Sequence, residues 1–466
     1  MHDTAIFLPL REQYERLRSG SLSAVQLVET AMANYANRGK HDHVYIVWNG
    51  PAALEAARAT DGVLQRGGDT GPLMGIPVSV KDLYAVPGYP TYAGSARRLP
   101  EKWEQAGPII GHLLRQLPSL MGKTHTVEFA FGGLGTNTHW GTPRNPWDRL
   151  NHRTPGGSSA GAGVSLVGGT ASLALGTDTA GSVRVPASMT GVAGLKITAG
   201  RWPTRQIVPL SPTLDSPGLL AHRAEDLAFA FAALDAHLSD RRERLLKVPK
   251  LSNLVFGVPE AYFWDDCSPG IAEVVSDAIR RLEKAGARIV RLDLPRANEA
   301  FTLFKAGGVA AVELAAFLNT ELPEMIESLD PSVAARISVT DQMPAWEYVR
   351  RRDVINSLYS DAVQPLAEVD ALLTPTVPIT PPTLESLIPE GEYQKANMRA
   401  LRNTVIANFL GLCSLTLPVG KDAAEMPVGL QLLASPWQDA RLLAIGQAVE
   451  AQLGCSLDIL GPPPVI

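Results

Sequence analysis

Apolar residues recur at helical spacing through Val25, Val28, Met32 and Tyr35, and Ser23 stands three residues before Gln26. A serine and a glutamine so placed can cap each other's backbone, so the chain is expected to open on an amphipathic helix. Helix-forming sequence continues through Ala52–Gln65 and breaks at Gly67-Gly68. The pattern then shortens: residues 75–81 alternate, are rich in β-branched side chains and read as a strand ending near Lys81. Residues 132–163 hold eight glycines and show no period, yet Phe129, Phe131, Trp140 and Trp147 border or interrupt them. Aromatic residues demand burial, so this stretch reads as a functional loop and not as a linker.

Further on, Ser172–Gly176 reads as a short strand opening into Thr177–Ser182. Leu254–Val258, Pro269–Ala285 and Arg288–Leu294 form a strand–helix–strand unit, and residues 300–366 are mostly helical. Strands at Val369–Thr374 and Val428–Leu433 and a helix over Asp439–Leu453 complete the pattern. Strands interspersed with helices throughout predict an α/β protein, a single large domain around a mixed, largely parallel sheet covered on both faces. Residues 1–65 are expected to form an N-terminal helical segment packed on a core of residues 66–466. The region 300–366 is expected to contribute to the substrate site.

The 466 residues are 45% hydrophobic and 19% charged, with a net charge of −5, and no basic patch invites nucleic acid. Cys267, Cys413 and Cys455 are far apart and odd in number, which argues against a disulfide scaffold or a zinc site and suits a reducing compartment. The first residues lack the basic and apolar regions of a signal peptide, and no stretch approaches the ~18 uninterrupted apolar residues of a membrane span. The expectation is a cytoplasmic enzyme.

Candidate chemistry concentrates in Thr154-Pro-Gly-Gly-Ser-Ser-Ala-Gly-Ala-Gly163 and Gly176-Thr-Asp-Thr-Ala-Gly-Ser-Val-Arg184, whose serines Ser158 and Ser182 lie 24 positions apart. Gly157–Gly161 fits a nucleophile elbow centred on Ser159, but that motif needs a strand directly before it and a histidine late in the chain. Residues 145–155 do not read as a strand, and no histidine follows His237. The other reading puts the nucleophile at Ser182. With histidine disfavoured, a buried lysine can serve as base if its pKa falls ~3 units from ~10.4. Lys81 closes an apolar run where such desolvation is expected, and Ser158 can bridge it to Ser182.

Gly71-Pro-Leu-Met-Gly-Ile-Pro-Val-Ser-Val-Lys-Asp-Leu83, Gly122-Lys-Thr, Glu128-Phe-Ala-Phe-Gly-Gly133 and Asn145-Pro-Trp147 resemble the amidase-signature family in order and spacing. So do Pro155–Ser159, Gly176–Arg184, Gly194-Leu-Lys196, Leu373-Thr-Pro-Thr376 and Pro427-Val-Gly-Leu-Gln431, and the likeness runs from about residue 8 to 455. The resemblance implies that Ser182 attacks an amide carbonyl and forms an acyl-enzyme. It implies that Ser158, after a cis Gly157–Ser158 peptide, relays protons, and that neutral Lys81 accepts them. Backbone N–H groups of Thr179, Ala180, Gly181 and Ser182 would form the oxyanion hole. Phe131, Gly132 and Gly133 match a segment that often lines the acyl side of the pocket in relatives. Ala160 and Ala162 stand where relatives commonly carry glycine or serine, and Leu412-Cys413 lacks a proline common there.

Asp178 and Arg184 read as a partly buried ion pair bracing the nucleophile loop. His125, His139 and His152 lack metal-ligand spacing and read as pocket walls or surface, and Cys413 as a small core residue. No cofactor or metal is expected. The expected partner is a small amide, with no nucleic acid and no membrane, and a homodimer is allowed. The alternatives are an inactive binding homologue, or a glutamine-hydrolysing amidotransferase subunit; intact Lys81, Ser158 and Ser182 argue against the first.

Overall fold

The computed structural model describes residues 4–38, 42–236 and 247–463, so His237 lies outside the described residues. Eleven strands form one sheet: β1 (Tyr45–Trp48), β2 (Pro77–Lys81), β3 (Ser119–Thr124), β4 (Leu173–Asp178), β5 (Ala193–Lys196), β6 (Ser216–Ala221), β7 (Val255–Pro259), β8 (Arg288–Leu292), β9 (Ala371–Pro375), β10 (Cys413–Lys421) and β11 (Pro427–Ala434). Their order is β1-β3-β2-β4-β6-β5-β10-β11-β9-β7-β8. Every residue of β2, β3, β4, β5, β6, β9 and β11 is buried, as expected when helices cover both faces of a sheet. The outermost strand β8 exposes Arg288 and Arg291, charges that discourage pairing of a free edge with another chain.

The α/β class and mixed sheet match the sequence reading, while the expectation of a largely parallel sheet holds only on the flanks. The pairs β2/β3, β2/β4, β7/β8 and β7/β9 are parallel; the pairings between β4 and β9 through the middle, and the β1/β3 pair, are antiparallel. The physical reason is the connections. Strands β10 and β11 turn back on each other between Lys421 and Pro427, and β5 reaches β6 without an intervening helix, links that suit antiparallel neighbours.

The N-terminal segment packs its helices Leu10–Ser19 and Ala24–Arg38 on the core, and Ser23 and Gln26 cap each other's backbone at 2.9 and 3.0 Å. It is not purely helical, however. Tyr45–Trp48 pairs with β3 at the sheet edge, where Trp48 stacks on Tyr35 at 3.9 Å. The helical stretch Ala297–Glu321 is long and apolar enough to cross a membrane by length and composition. Here it is broken around Gly307 and Gly308 into Ala297–Lys305 and Ala310–Glu321, and its middle lines a cavity.

Parallel pairing of β2 with β4 brings their C-terminal ends to one side of the sheet, where open α/β sheets place their ligands. Lys81 ends β2, and Asp178 ends β4. Residues 179–183 follow and lead into the helix Arg184–Thr190, while Ser158 and Ser159 immediately precede the helix Ala160–Val167.

Candidate active site

Lys81 is fully buried, and its Nζ lies 2.7 Å from Ser158 Oγ and 2.8 Å from Thr177 Oγ1. Its neighbour Lys123, equally buried, faces Asp82 at 3.0 Å, and that carboxylate also accepts the N–H groups of Tyr92 and Gly94. Among the described residues no carboxylate stands within 4 Å of Lys81. Burial therefore lowers its pKa to about 7, with Asp215 and Asp178 opposing only from a distance. Burial lowers Lys196 as well, to about 8, but its Nζ donates to the carbonyls of Ile197 and Leu412 and not to a serine. The contact with Ser158 is what singles out Lys81.

The Gly157–Ser158 peptide is cis. The two serine turns are tied directly, since Ser159 N–H donates to the Ser182 carbonyl at 3.2 Å. Ser159 Oγ points back at the Thr177 carbonyl, 3.3 Å away, and no strand precedes it, so the elbow reading finds no support. Ser182, Thr179 and Ala180 line a cavity of about 540 Å³.

Asp178 organises the loop around Ser182. Its Oδ1 accepts the Gly181 N–H at 2.8 Å and its Oδ2 accepts the Val183 N–H at 3.1 Å. Arg184 grips the same carboxylate with Nη2 at 2.8 Å and Nε at 3.0 Å, and both side chains are wholly, not partly, buried. Burial pushes the carboxyl pKa up, but the guanidinium outweighs it and holds Asp178 below the ordinary carboxylate range. Arg184 also donates to Thr404 O, Gln431 Oε1 and Asn408 Oδ1, pinning the loop to distant parts of the chain. Gly181 therefore spends its N–H on Asp178, while Thr179 anchors through its hydroxyl to Asp215.

Of the expected pocket residues, Phe131 and Gly132 line the cavity. Gly133 does not: its N–H donates to Asn397 Oδ1 at 2.7 Å, and an added Cβ would meet Leu401 at 2.6 Å, so its smallness serves packing. His125, His139 and His152 are not in the cavity wall. His125 is neither wall nor surface but core, with its pKa lowered by burial to about 3 and Nε2 2.8 Å from the Gly141 carbonyl. His139 faces Glu128, and His152 Nε2 lies 3.0 Å from the Thr142 carbonyl. Among the described residues no histidine, cysteine or acidic cluster could hold a metal. Cys413 is buried core, as expected.

The site also contains groups that the sequence reading passed over. Thr177 sat unremarked inside the Gly176–Arg184 motif. Asp215, its pKa raised by burial to about 6, accepts the Leu210 and Ser211 N–H groups at 3.0 Å and faces the lysine's charge. The region 300–366 contributes to the cavity wall through Phe304 to Ala311 and Arg336, and Asn397, Leu401 and Phe409 complete it.

The Amidase family model matches residues 26–443. The chain belongs to this family. It is 52% identical, over 98% of its length and 99% of the relative's, to a 2-amino-5-chloromuconic acid deaminase of Comamonas testosteroni. It is 31% identical, over 95% of its length and 96% of the relative's, to a glutamyl-tRNA(Gln) amidotransferase subunit of Chloroflexus aggregans. A solved amidase structure, 29% identical, superposes with a TM-score of 0.86 and covers 96% of this chain and 100% of its own. The fold is thus the amidase-signature fold, and the chain is a hydrolase acting on amides.

Proposed function

We propose that the chain hydrolyses a small-molecule C–N bond and releases ammonia through an acyl-enzyme on Ser182. The observation that carries this reading is a buried lysine with a pKa of about 7 in contact with Ser158, whose turn is tied to that of Ser182. Ser182 Oγ adds to the carbonyl carbon and loses its proton to Ser158, which passes its own to Lys81 Nζ. The N–H groups of Thr179, Ala180 and Ser182 hold the developing oxyanion, the Gly181 N–H being engaged by Asp178. The C–N bond then breaks as the proton returns along the same relay to the leaving nitrogen. Water, deprotonated by the relay in turn, attacks the ester and frees Ser182.

The higher identity to the deaminase than to the amidotransferase subunit, 52% against 31%, favours a metabolite over a tRNA-linked reaction and an isolated chain that acts without partners. The first compounds to assay are simple carboxamides and glutamine, which the acyl-enzyme route can cleave. 2-Amino-5-chloromuconic acid, named for the deaminase relative, carries its amino group on C2 and not on a carbonyl, and is assayed beside them as a substrate that would need a different route. Ammonia release by the purified chain, together with labelling of Ser182 by a fluorophosphonate, is the expected outcome. An unlabelled Ser182, with turnover surviving Ser182→Ala, would sink the proposal.

A further inference from the structure

The cavity that reaches Ser182 is walled largely by apolar groups, among them Phe131, Leu214, Phe304, Leu401 and Phe409. Among the described residues its wall has no aspartate or glutamate, but two cations, Arg336 and Lys305. Lys305 is exposed, whereas Arg336 is largely enclosed, its guanidinium 4.2 Å from the Phe131 ring centre and its Nε donating to the Ser332 carbonyl at 2.9 Å. Arg336 Nη2 is buried and has no hydrogen-bond partner among the described residues. Other buried guanidinium groups are not left in this condition: Arg184, Arg201, Arg351 and Arg402 each have a carboxylate within 4.0 Å. Arg336 has none among the described residues. The nearby Asp330 is committed to Ser332 N–H and Thr138 Oγ1, and the Tyr393 side chain hydrogen-bonds the guanidinium without supplying the negative charge it lacks.

A largely enclosed guanidinium with one donor unmet and no counter-charge is costly. The cost disappears when a ligand supplies the missing acceptor, and a planar carboxylate matches the guanidinium fork with two parallel hydrogen bonds. We infer that Arg336 is the anchor for a carboxylate of the substrate, so that the compound cleaved at Ser182 carries an acid group in addition to the scissile bond. This rests on the reading of Ser182 as the reacting group and extends it to substrate class. The apolar wall accommodates a hydrocarbon body between the two functional groups, and exposed Lys305 favours entry of an anion. A phosphate would leave oxygens unpaired against the apolar wall, so carboxylate is the better match.

The test compares monoamides of dicarboxylic acids of increasing chain length with their methyl esters, using the intact chain, Arg336→Met and Arg336→Lys. The wild type should prefer the best acid over its ester by roughly 10²-fold in kcat/KM, the size expected of a hydrogen bond to a charged group. Arg336→Met should erase that preference by slowing the acid and leaving the ester within a few-fold. Arg336→Lys should restore part of it. Calorimetry of the free dicarboxylate and its dimethyl ester on Ser182→Ala, with and without Arg336→Met, reads the anchor without turnover. Equal handling of acid and ester by the wild type in both assays would overturn the inference, as would an Arg336→Met defect that falls on both alike. Fluorophosphonate labelling of Ser182 in Arg336→Met separates the two readings. A failure to label the wild type as well counts against the nucleophile, while the calorimetry still decides the anchor.

Discussion

Lys81 Nζ and Ser158 Oγ stand 2.7 Å apart in a site sealed from solvent, while the carboxylates nearest in charge, Asp215 and Asp178, act on the lysine only from a distance. Burial is therefore not compensated, and the ammonium gives up its proton near pH 7. The proposed relay uses the neutral amine. The rate kcat/KM should climb about tenfold per pH unit below about 7 and level off above it. Lys81→Arg, which stays protonated, should be inactive across the range. A flat profile from pH 5 to 9 would refute the assignment.

The same shift has a stability consequence whose sign differs from that of a paired lysine. Folded Lys81 is deprotonated above about 7, whereas an unfolded lysine holds its proton to ~10.4, so the unfolded chain binds more protons in between. Stability should rise with pH across that window, and Lys81→Met should flatten the rise. Urea unfolding at several pH values from 7 to 10 reads the slope directly, provided unfolding stays two-state.

Ser182 lines the cavity and its turn is held against Ser158 by the Ser159 N–H, so it is the hydroxyl open to substrate. Ser182→Ala should lower kcat by ~10⁴-fold or more, the scale seen when a catalytic triad loses its nucleophile. Ser159→Ala, in contrast, removes a hydroxyl that faces the Thr177 carbonyl and should cost far less. Parallel steady-state assays check the pair.

What the sequence made legible were elements whose local pattern agrees with the tertiary answer. The run ending at Lys81 alternates, is buried on both faces and is a strand; Asp439–Leu453 is a helix at the residues its apolar spacing marks. Strand β10 escaped because Pro418 sits inside it, a residue that argues locally against a strand and here coincides with a register shift opposite β11. Strand β6 begins Ser216-Pro-Gly and hides for the same reason. Arg336 gave no signal at all, since a lone arginine on an amphipathic helix usually faces water, and it is enclosed here by groups distant in sequence, Phe131 and Tyr393. Lys81, Ser158 and Ser182 could be singled out because each sits in a long motif; of the cavity wall only the segments could be anticipated, Phe131-Gly132 and the region 300–366, because its individual residues come from helices far apart in sequence.

Asp178 and Arg184 are both fully buried and joined by two hydrogen bonds, so neither can be removed without stranding the other's charge. Arg184→Met should destabilise the fold by about 3–5 kcal/mol. Asp178 is held below the ordinary carboxylate range, so its contribution is fully present above the unfolded pKa of ~3.9 and is lost as pH falls through its folded value. Denaturant titration at pH 7 and at pH 2 measures both effects. A stability loss under ~1 kcal/mol at neutral pH would mean that the pair is not the brace of the nucleophile loop.

Gly181 carries the backbone at φ +134°, a region L side chains avoid, and an added Cβ would collide with Thr404 Oγ1 and stand 2.7 Å from the Thr404 Cβ. Thr404 cannot yield easily, because the same hydroxyl donates to the Ala180 carbonyl and the Thr404 carbonyl accepts from Arg184. Gly181→Ala must therefore move the loop that carries Ser182. We expect a loss of about 1–3 kcal/mol from overpacking, and a fall in kcat larger than any change in KM, because the oxyanion donors shift relative to the nucleophile. Thr404→Ala deletes the Oγ1 that the added Cβ meets first, and should relieve part of the Gly181→Ala defect if steric contact is its cause. If the double variant is no better than Gly181→Ala alone, the defect lies instead in the backbone conformation at residue 181.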